Sequence, residues 1–100
     1  MVVNLFQNFN KAFESKVRLG IMSILMVNDN VDFSTLKDLL QVTDGNLASH
    51  SKALEELNYI KISKQFIGKK PNTTYEATEI GKKAFADHLN SLELLLKSNK

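Results

Sequence analysis

Between Lys61 and Tyr75 the chain carries Lys61, Lys64, Lys69 and Lys70 and not one acidic side chain, although the formal net charge of all 100 residues is only +2. Ammonium groups concentrated in this way pair with phosphate oxygens and release the counterions condensed on a polyanion. A second use is open to them: lysines on an exposed strand keep its edge from pairing with another chain. The middle of the stretch, Gly68-Lys69-Lys70-Pro71-Asn72, has the chemistry of a hairpin tip. Gly tolerates positive φ, Pro presets φ, and Asn accepts the left-handed region.

A second polar group, Asn46, Ser49, His50 and Lys52, falls on the outward side of a helix expected over about residues 45–58. A helix enters a DNA major groove only when its exposed side lacks bulky apolar groups and offers donors and acceptors to base edges. Asn46 can pair with adenine or a phosphate, and Ser49 can donate and accept. His50 can donate from a ring nitrogen, and Lys52 brings charge to guanine or the backbone. Each also has a plainer use: Asn46 as a helix cap, Ser49 and Lys52 as solvated surface, His50 as a hydrogen-bonded strut between helices.

Other chemistry finds little footing. Cysteine is absent, which excludes disulfides, thiolate nucleophiles and thiolate metal sites. His50, His88 and Asp87 stand at no recognised ligand interval, and His88 beside Asp87 reads as solvated helix surface. No glycine-rich phosphate loop, nucleophile–base pair or close carboxylate pair is present. No metal, cofactor or catalytic residue is expected.

These groups must be positioned by one domain, since 100 residues with 43% hydrophobic content supply a single modest core. Val2, Leu5, Phe6, Phe9 and Phe13 recur at helical spacing and predict a first amphipathic helix over about 3–13. Ser15 is the expected cap of a central helix reaching Val27, apolar nearly all round. Val31-Asp32-Phe33 reads as a short extended piece. Ser34 is the expected cap of a helix from Thr35 to Gln41 with Leu36, Leu39 and Leu40 inward. Val42-Thr43-Asp44-Gly45 has helix-turn-helix length. The third helix should bury Leu47, Leu54 and Leu57 and stop at Asn58. A strand over 59–67, a tip over 68–72, a return strand over 73–77 and a final helix capped by Thr78 complete the order, with Ile80, Ala84, Phe85, Leu89, Leu92, Leu95 and Leu96 as its apolar stripe. The longest apolar run, Ile24 to Val27, is too short to span a bilayer. The first residues lack a secretory pattern, and a soluble, cytoplasmic protein is expected.

Several words of this sequence resemble those of winged-helix transcriptional regulators of the MarR and ArsR type, above all the small single-domain set described simply as winged helix DNA-binding domain. They are Val17-Arg18-Leu19-Gly20-Ile21-Met22, Gly45-Asn46-Leu47-Ala48-Ser49-His50 through Leu54-Glu55, and Asn58-Tyr59-Ile60. Lys70-Pro71-Asn72-Thr73-Thr74-Tyr75 and Thr78-Glu79-Ile80-Gly81-Lys82-Lys83-Ala84-Phe85 are the most specific. The resemblance spans about residues 14–90. The chain departs from it at Ser51, where leucine is usual, and at Asn72, where a basic residue is common. Ser51 is expected to bond back to the Leu47 carbonyl.

The resemblance implies an α+β, mostly helical winged helix-turn-helix with a two- or three-stranded antiparallel wing, an added N-terminal helix and a long C-terminal one. It also implies a DNA-binding regulator, normally a homodimeric repressor on a palindromic site, with double-stranded DNA as partner. The expected DNA contacts are Ser34, Thr35, Asn46, Ser49, His50, Lys52, Lys64, Lys69, Lys70 and Thr73. Phe6, Phe9 and Phe13, with Leu89, Leu92, Leu95 and Leu96, are expected to dimerise residues 1–14 and 79–100, because they offer more apolar surface than a core of this size covers. The competing reading keeps the shape but packs the third helix or the wing on another protein. Asp44, Glu55 and Glu56 around that helix favour it.

Overall fold

The computed structural model describes residue 6 and residues 9–98 of the chain. A single turn of 3₁₀ helix, Lys11–Phe13, leads into α1 (Lys16–Met26). β1 (Val31–Asp32), α2 (Phe33–Leu40), α3 (Asp44–Glu56), β2 (Ile60–Ile67), β3 (Lys70–Ala77) and α4 (Glu79–Ser98) follow. The strands form one antiparallel sheet in the order β1-β3-β2. β1 reaches β3 only through Val31↔Tyr75 and Asp32↔Thr74, whereas β2 and β3 pair from Ile60↔Ala77 out to Ile67↔Lys70. The winged helix-turn-helix expected from the sequence is the arrangement found.

Side-chain caps start each α-helix where a backbone N–H would otherwise lack a partner. The Ser15 hydroxyl accepts from Arg18 N–H, the Thr43 hydroxyl from Asn46 N–H and the Thr78 hydroxyl from Gly81 N–H. α2 is capped by Asp32 rather than Ser34: its carboxylate accepts from Thr35 N–H at 2.8 Å. Hydrogen bonds from the Thr35 hydroxyl and N–H hold the Asp32 carboxyl below its usual range.

The core is centred on α1, whose Ile21, Met22 and Leu25 are buried among Leu36, Leu47, Leu54, Ile60, Tyr75 and Phe85 from the other elements. Each fully buried aliphatic side chain contributes roughly 1.5–3 kcal/mol through removal from water. Three leucine or isoleucine expectations fail. Leu39 is exposed because a two-turn helix brings Leu36 and Leu40 to one side and leaves Leu39 flanking it. Leu57 lies at the α3 C-cap and Ile80 in the first turn of α4, and both are exposed.

The first helix, expected over 3–13, differs over its described part. Asn10 has extended backbone and caps the 3₁₀ turn by accepting from Ala12 N–H, which breaks any continuous α-helix into Phe13. Residues 1–5, 7 and 8 of that expectation lie outside the described residues. The hairpin tip is also shorter than expected. Ile67 pairs with Lys70, so Gly68 and Lys69 alone make the turn, and Pro71 and Asn72 belong to β3. Gly68, with φ +64°, takes the first central position, where a two-residue hairpin favours glycine.

α3, the wing and α4 meet at one junction. Asn58 adopts φ +62° after α3. Tyr59 N–H donates to the Leu54 carbonyl and Asn58 N–H to the Glu55 carbonyl, which closes the helix end. Thr78 N–H donates to the Tyr59 carbonyl, and the Thr78 hydroxyl donates to the Asn58 carbonyl at 2.6 Å. Gly81 lies against the same stretch so closely that a Cβ would collide with the Tyr59 carbonyl oxygen. Gly81→Ala should therefore lower stability by roughly 1–3 kcal/mol through forced displacement of backbone. Gly45→Ala, where a Cβ meets nothing, should gain up to about 1 kcal/mol of helix propensity. Urea denaturation of the two variants checks the contrast, and equal midpoints would contradict it.

Candidate nucleic-acid interface

α3 and the β2–β3 hairpin form the two walls of an open groove of about 640 Å³. One wall presents Ala48, Ser51, Lys52 and Glu55, the other Ile62, Lys64, Thr73 and Tyr75. The period of a strand explains the second wall: Ile62↔Tyr75 and Lys64↔Thr73 are facing pairs two residues apart, so they share a face of the sheet. Of the expected contact residues, Lys52, Lys64 and Thr73 thus come together in one groove.

Asn46 and Ser49 are exposed on α3, and Lys69 and Lys70 are exposed at the hairpin tip. Ser34 and Thr35 are exposed in the first turn of α2, but the Thr35 N–H and hydroxyl are engaged by Asp32. His50 is half-buried, and its Nδ1 accepts from Arg18 Nε at 3.1 Å, so only the Nε2 side of the ring is left for another partner. The strut reading of His50 is the one this geometry supports.

The charge pattern sharpens the site. Among the described residues, Lys52, Lys61, Lys64, Lys69 and Lys70 have no acidic partner within 4.0 Å, and the ion pairs lie elsewhere. Lys37 and Asp44, 2.7 Å apart, tie α2 to the start of α3. The hydrogen bond that Lys37 donates to the Asp44 carboxylate raises the Lys37 pKa. That pair is exposed and adds little stability, but it neutralises an acid at the N-terminus of α3. Glu55 remains as the acidic group in the groove.

Ser51 and Tyr75 were the residues whose joint role sequence reasoning missed. Ser51 is fully buried, and its hydroxyl donates to the Ala48 carbonyl at 3.2 Å rather than to that of Leu47. It also lies against Tyr75 of β3: burial pushes the Tyr75 hydroxyl pKa up, and hydrogen bonding with Ser51 offsets part of that rise. The two side chains meet between α3 and the hairpin.

The dimerisation set divides. Phe13 is buried within its own chain against Tyr59, Phe85 and His88, which removes it from a surface role. His88 is buried as well, contrary to its reading as solvated surface: Nδ1 accepts from Asn10 N–H at 3.1 Å, and the ring packs on Phe9 and Phe13. Its spacing from Phe85, one helical turn, was the available signal. Phe6 is exposed with its ring against Phe9. Leu89 and Leu96 are exposed, and Leu92 and Leu95 are half-buried. Among the described residues, no group of three or more His, Cys, Asp or Glu side chains is arranged to hold a metal ion, and no helix is long and apolar enough to cross a membrane.

Comparison with known proteins agrees with this geometry. The sequence profile of the winged helix DNA-binding domain matches residues 17–96. The chain is 34% identical over 88 residues to the uncharacterized protein MJ0432 of Methanocaldococcus jannaschii, covering 88% of this chain and 96% of the relative. Among solved structures it is similar to a transcriptional regulator homologue protein from Pyrococcus horikoshii OT3, at 31% identity and a TM-score of 0.83, over 94% of this chain and 91% of the other. The structure of NadR in complex with 4-hydroxyphenylacetate shares the fold, with a TM-score of 0.70 at 15% identity over 94% and 69% of the two chains.

Tyr75→Phe removes the hydroxyl that meets Ser51 while leaving the serine its Ala48 partner. The expected loss is about 0.5–1.5 kcal/mol, read as a lower urea midpoint with unchanged helix content. An unaltered midpoint would show that the pair does not hold the two walls together.

Proposed function

This chain belongs to the winged helix DNA-binding domain family, and we propose that it is a sequence-specific, cytoplasmic transcriptional repressor that grips duplex DNA as a homodimer. The coarser statement, a DNA-binding regulator, follows from the family. The observation that carries the finer one is the groove in which Lys52 of α3 faces Lys64 and Thr73 of the hairpin. A DNA strand lying there places α3 in the major groove with Asn46, Ser49 and Lys52 toward base edges. Lys64 and Thr73 hold the bordering phosphates, Lys69 and Lys70 extend the grip along the backbone, and Ser34 and Thr35 touch it from α2. His50 acts chiefly through Arg18, keeping α3 at its place on α1.

Self-association is supported by shape and by apolar exposure. The chain is 61 Å long but only 25 × 21 Å across, with a radius of gyration of 15.4 Å, against about 13 Å for a compact chain of this length. α4 has 20 residues, and Leu89, Leu94 and Leu96 on it are 43%, 49% and 74% exposed. A second α4, with Phe6 and Leu92 and Leu95 at the margins, covers this surface. A two-fold pair then sets the two reading helices one DNA turn apart, roughly 34 Å. A protein that holds DNA this way represses most directly by occupying the site.

Changing Lys69 and Lys70 together to Ala should weaken binding to all duplexes alike and lower the salt slope by roughly 2 units. Alanine at Asn46, Ser49 or Lys52 should instead cost about 1–3 kcal/mol on a selected site and relax its sequence preference. Binding that is insensitive to salt would point to the alternative, an interface with another protein. Sedimentation equilibrium at micromolar concentration tests the assembly separately: twice 11.3 kDa is expected, and a single 11.3 kDa species would remove the dimer and the palindromic site with it.

A further inference from the structure

Two of the most exposed large apolar side chains are neighbours in the most basic part of the chain. Phe66 is 74% and Ile67 64% exposed, next to the exposed Lys69, Lys70 and Pro71. Among the described residues Phe66 makes no ring contact, unlike Phe6, Phe9, Phe13 and Phe33. A benzyl group held in water at the end of a paired hairpin contributes nothing to the core, and a threonine or lysine would suit that strand equally well.

The register decides which way it faces. Ile62↔Tyr75, Lys64↔Thr73 and Phe66↔Pro71 lie on one face of the hairpin, and the first two pairs form the groove wall opposite α3. Phe66 and Pro71 therefore continue that wall outward by one pair, about 7 Å beyond Lys64. Ile67 and Lys70 fall on the other face. Because the two-residue turn makes Ile67 and Lys70 a hydrogen-bonded pair, Phe66 and Pro71 form a non-hydrogen-bonded one, in which side chains lie closest. Pro71 lacks only an N–H that would point away from β2, and β1 does not reach past Thr74. The result is a rigid apolar wedge of two rings bordered by unpaired ammonium groups.

Building on the DNA-binding reading above, we propose that Phe66, backed by Pro71, enters the minor groove of the bound duplex and levers open a flexible base step. With α3 in the major groove and Lys64 and Thr73 on the strand that borders it, the minor groove is the next surface the hairpin tip meets. Its floor offers apolar sugar and base faces to a ring, and inserted apolar side chains bend DNA away from themselves. Pyrimidine–purine steps unstack most easily and are the steps preferred under the tip. A protein occupant fits less well, because the uncompensated lysines around the wedge would have to be buried with it or matched by acids.

The test uses the full chain and an operator obtained by selection from random duplexes, with Phe66→Ala and the shape-retaining Phe66→Leu. Fluorescence anisotropy gives affinity at several salt concentrations, and energy transfer between end labels gives the bend. Phe66→Ala should bind roughly tenfold more weakly with an unchanged salt slope and a smaller bend, and Phe66→Leu should retain most of both. Equal affinity and bend for the parent and Phe66→Ala would overturn the wedge and leave the DNA-binding reading standing. A Phe66→Ala variant that changes sedimentation mass and not the bend would assign the ring to a protein contact and overturn the wedge as well. If the parent itself selects no duplex, the DNA-binding reading fails, and the wedge falls with it.

Discussion

The recurrent constraint on α3, the hairpin and α4 is the contact between Gly81 and the Tyr59 carbonyl. Here α3 has just ended, β2 begins, β3 has just returned and α4 sets off, so four elements share a few backbone atoms. Thr78 fastens them by donating from its N–H and its hydroxyl to Tyr59 and Asn58 while capping α4. Only glycine allows the close approach. The direction of α4, and with it any two-fold axis, is consequently fixed relative to the recognition surface by hydrogen bonds rather than by side-chain packing alone. Packing tolerates shifts when a methyl group is gained or lost, whereas a set of short backbone bonds has one geometry.

The electrostatic design depends on distribution rather than total. A net charge of +2 would attract a polyanion weakly if it were spread evenly. Four acids meet lysines away from the hairpin: Asp44 with Lys37, Asp87 with Lys83, Glu79 with Lys82, Glu93 with Lys97. Among the described residues, the lysines of the hairpin and of the outer face of α3 are in no such ion pair. Glu55 shares the α3 wall of the groove with Lys52 and faces Lys64, and a carboxylate there repels anions and favours a hydrogen-bond donor.

The element order was legible because caps and apolar spacing are local signals. Ser15, Thr43 and Thr78 each precede an apolar run, and Asn58 marks a helix end through its tolerance of positive φ. What escaped was decided at long range. Asn10 interrupts the first helix because its side chain meets Tyr59 and its N–H meets His88, partners 49 and 78 residues away. His88 looked solvated because of its neighbour Asp87, although its spacing from Phe85 already placed it on the buried face. Pro71 looked like part of the tip, but Gly68 alone set the turn and the register carried Pro71 into β3. At Asp32 the stronger capping residue stood two positions before the serine chosen. In the site, the lysines and the α3 side chains were readable as types and spacing. Their meeting in a single groove depends on β2–β3 register and could be known only from the fold.

Ser51 is a polar residue in the core, and its surroundings explain how it is tolerated. A leucine there would fill space between α3 and the sheet by packing alone. Serine instead returns its hydroxyl to the Ala48 carbonyl and lies beside Tyr75 of β3. The buried serine oxygen is thereby satisfied, which avoids the penalty of a buried orphan. The exchange matters for the groove because Tyr75 pairs with both Ile62 and Val31. The meeting of Ser51 and Tyr75 thus lies between α3 and the central strand, at the level where β1 is also attached. It stands at the root of the hairpin, close to the pivot of any swing that would move the tip lysines relative to α3.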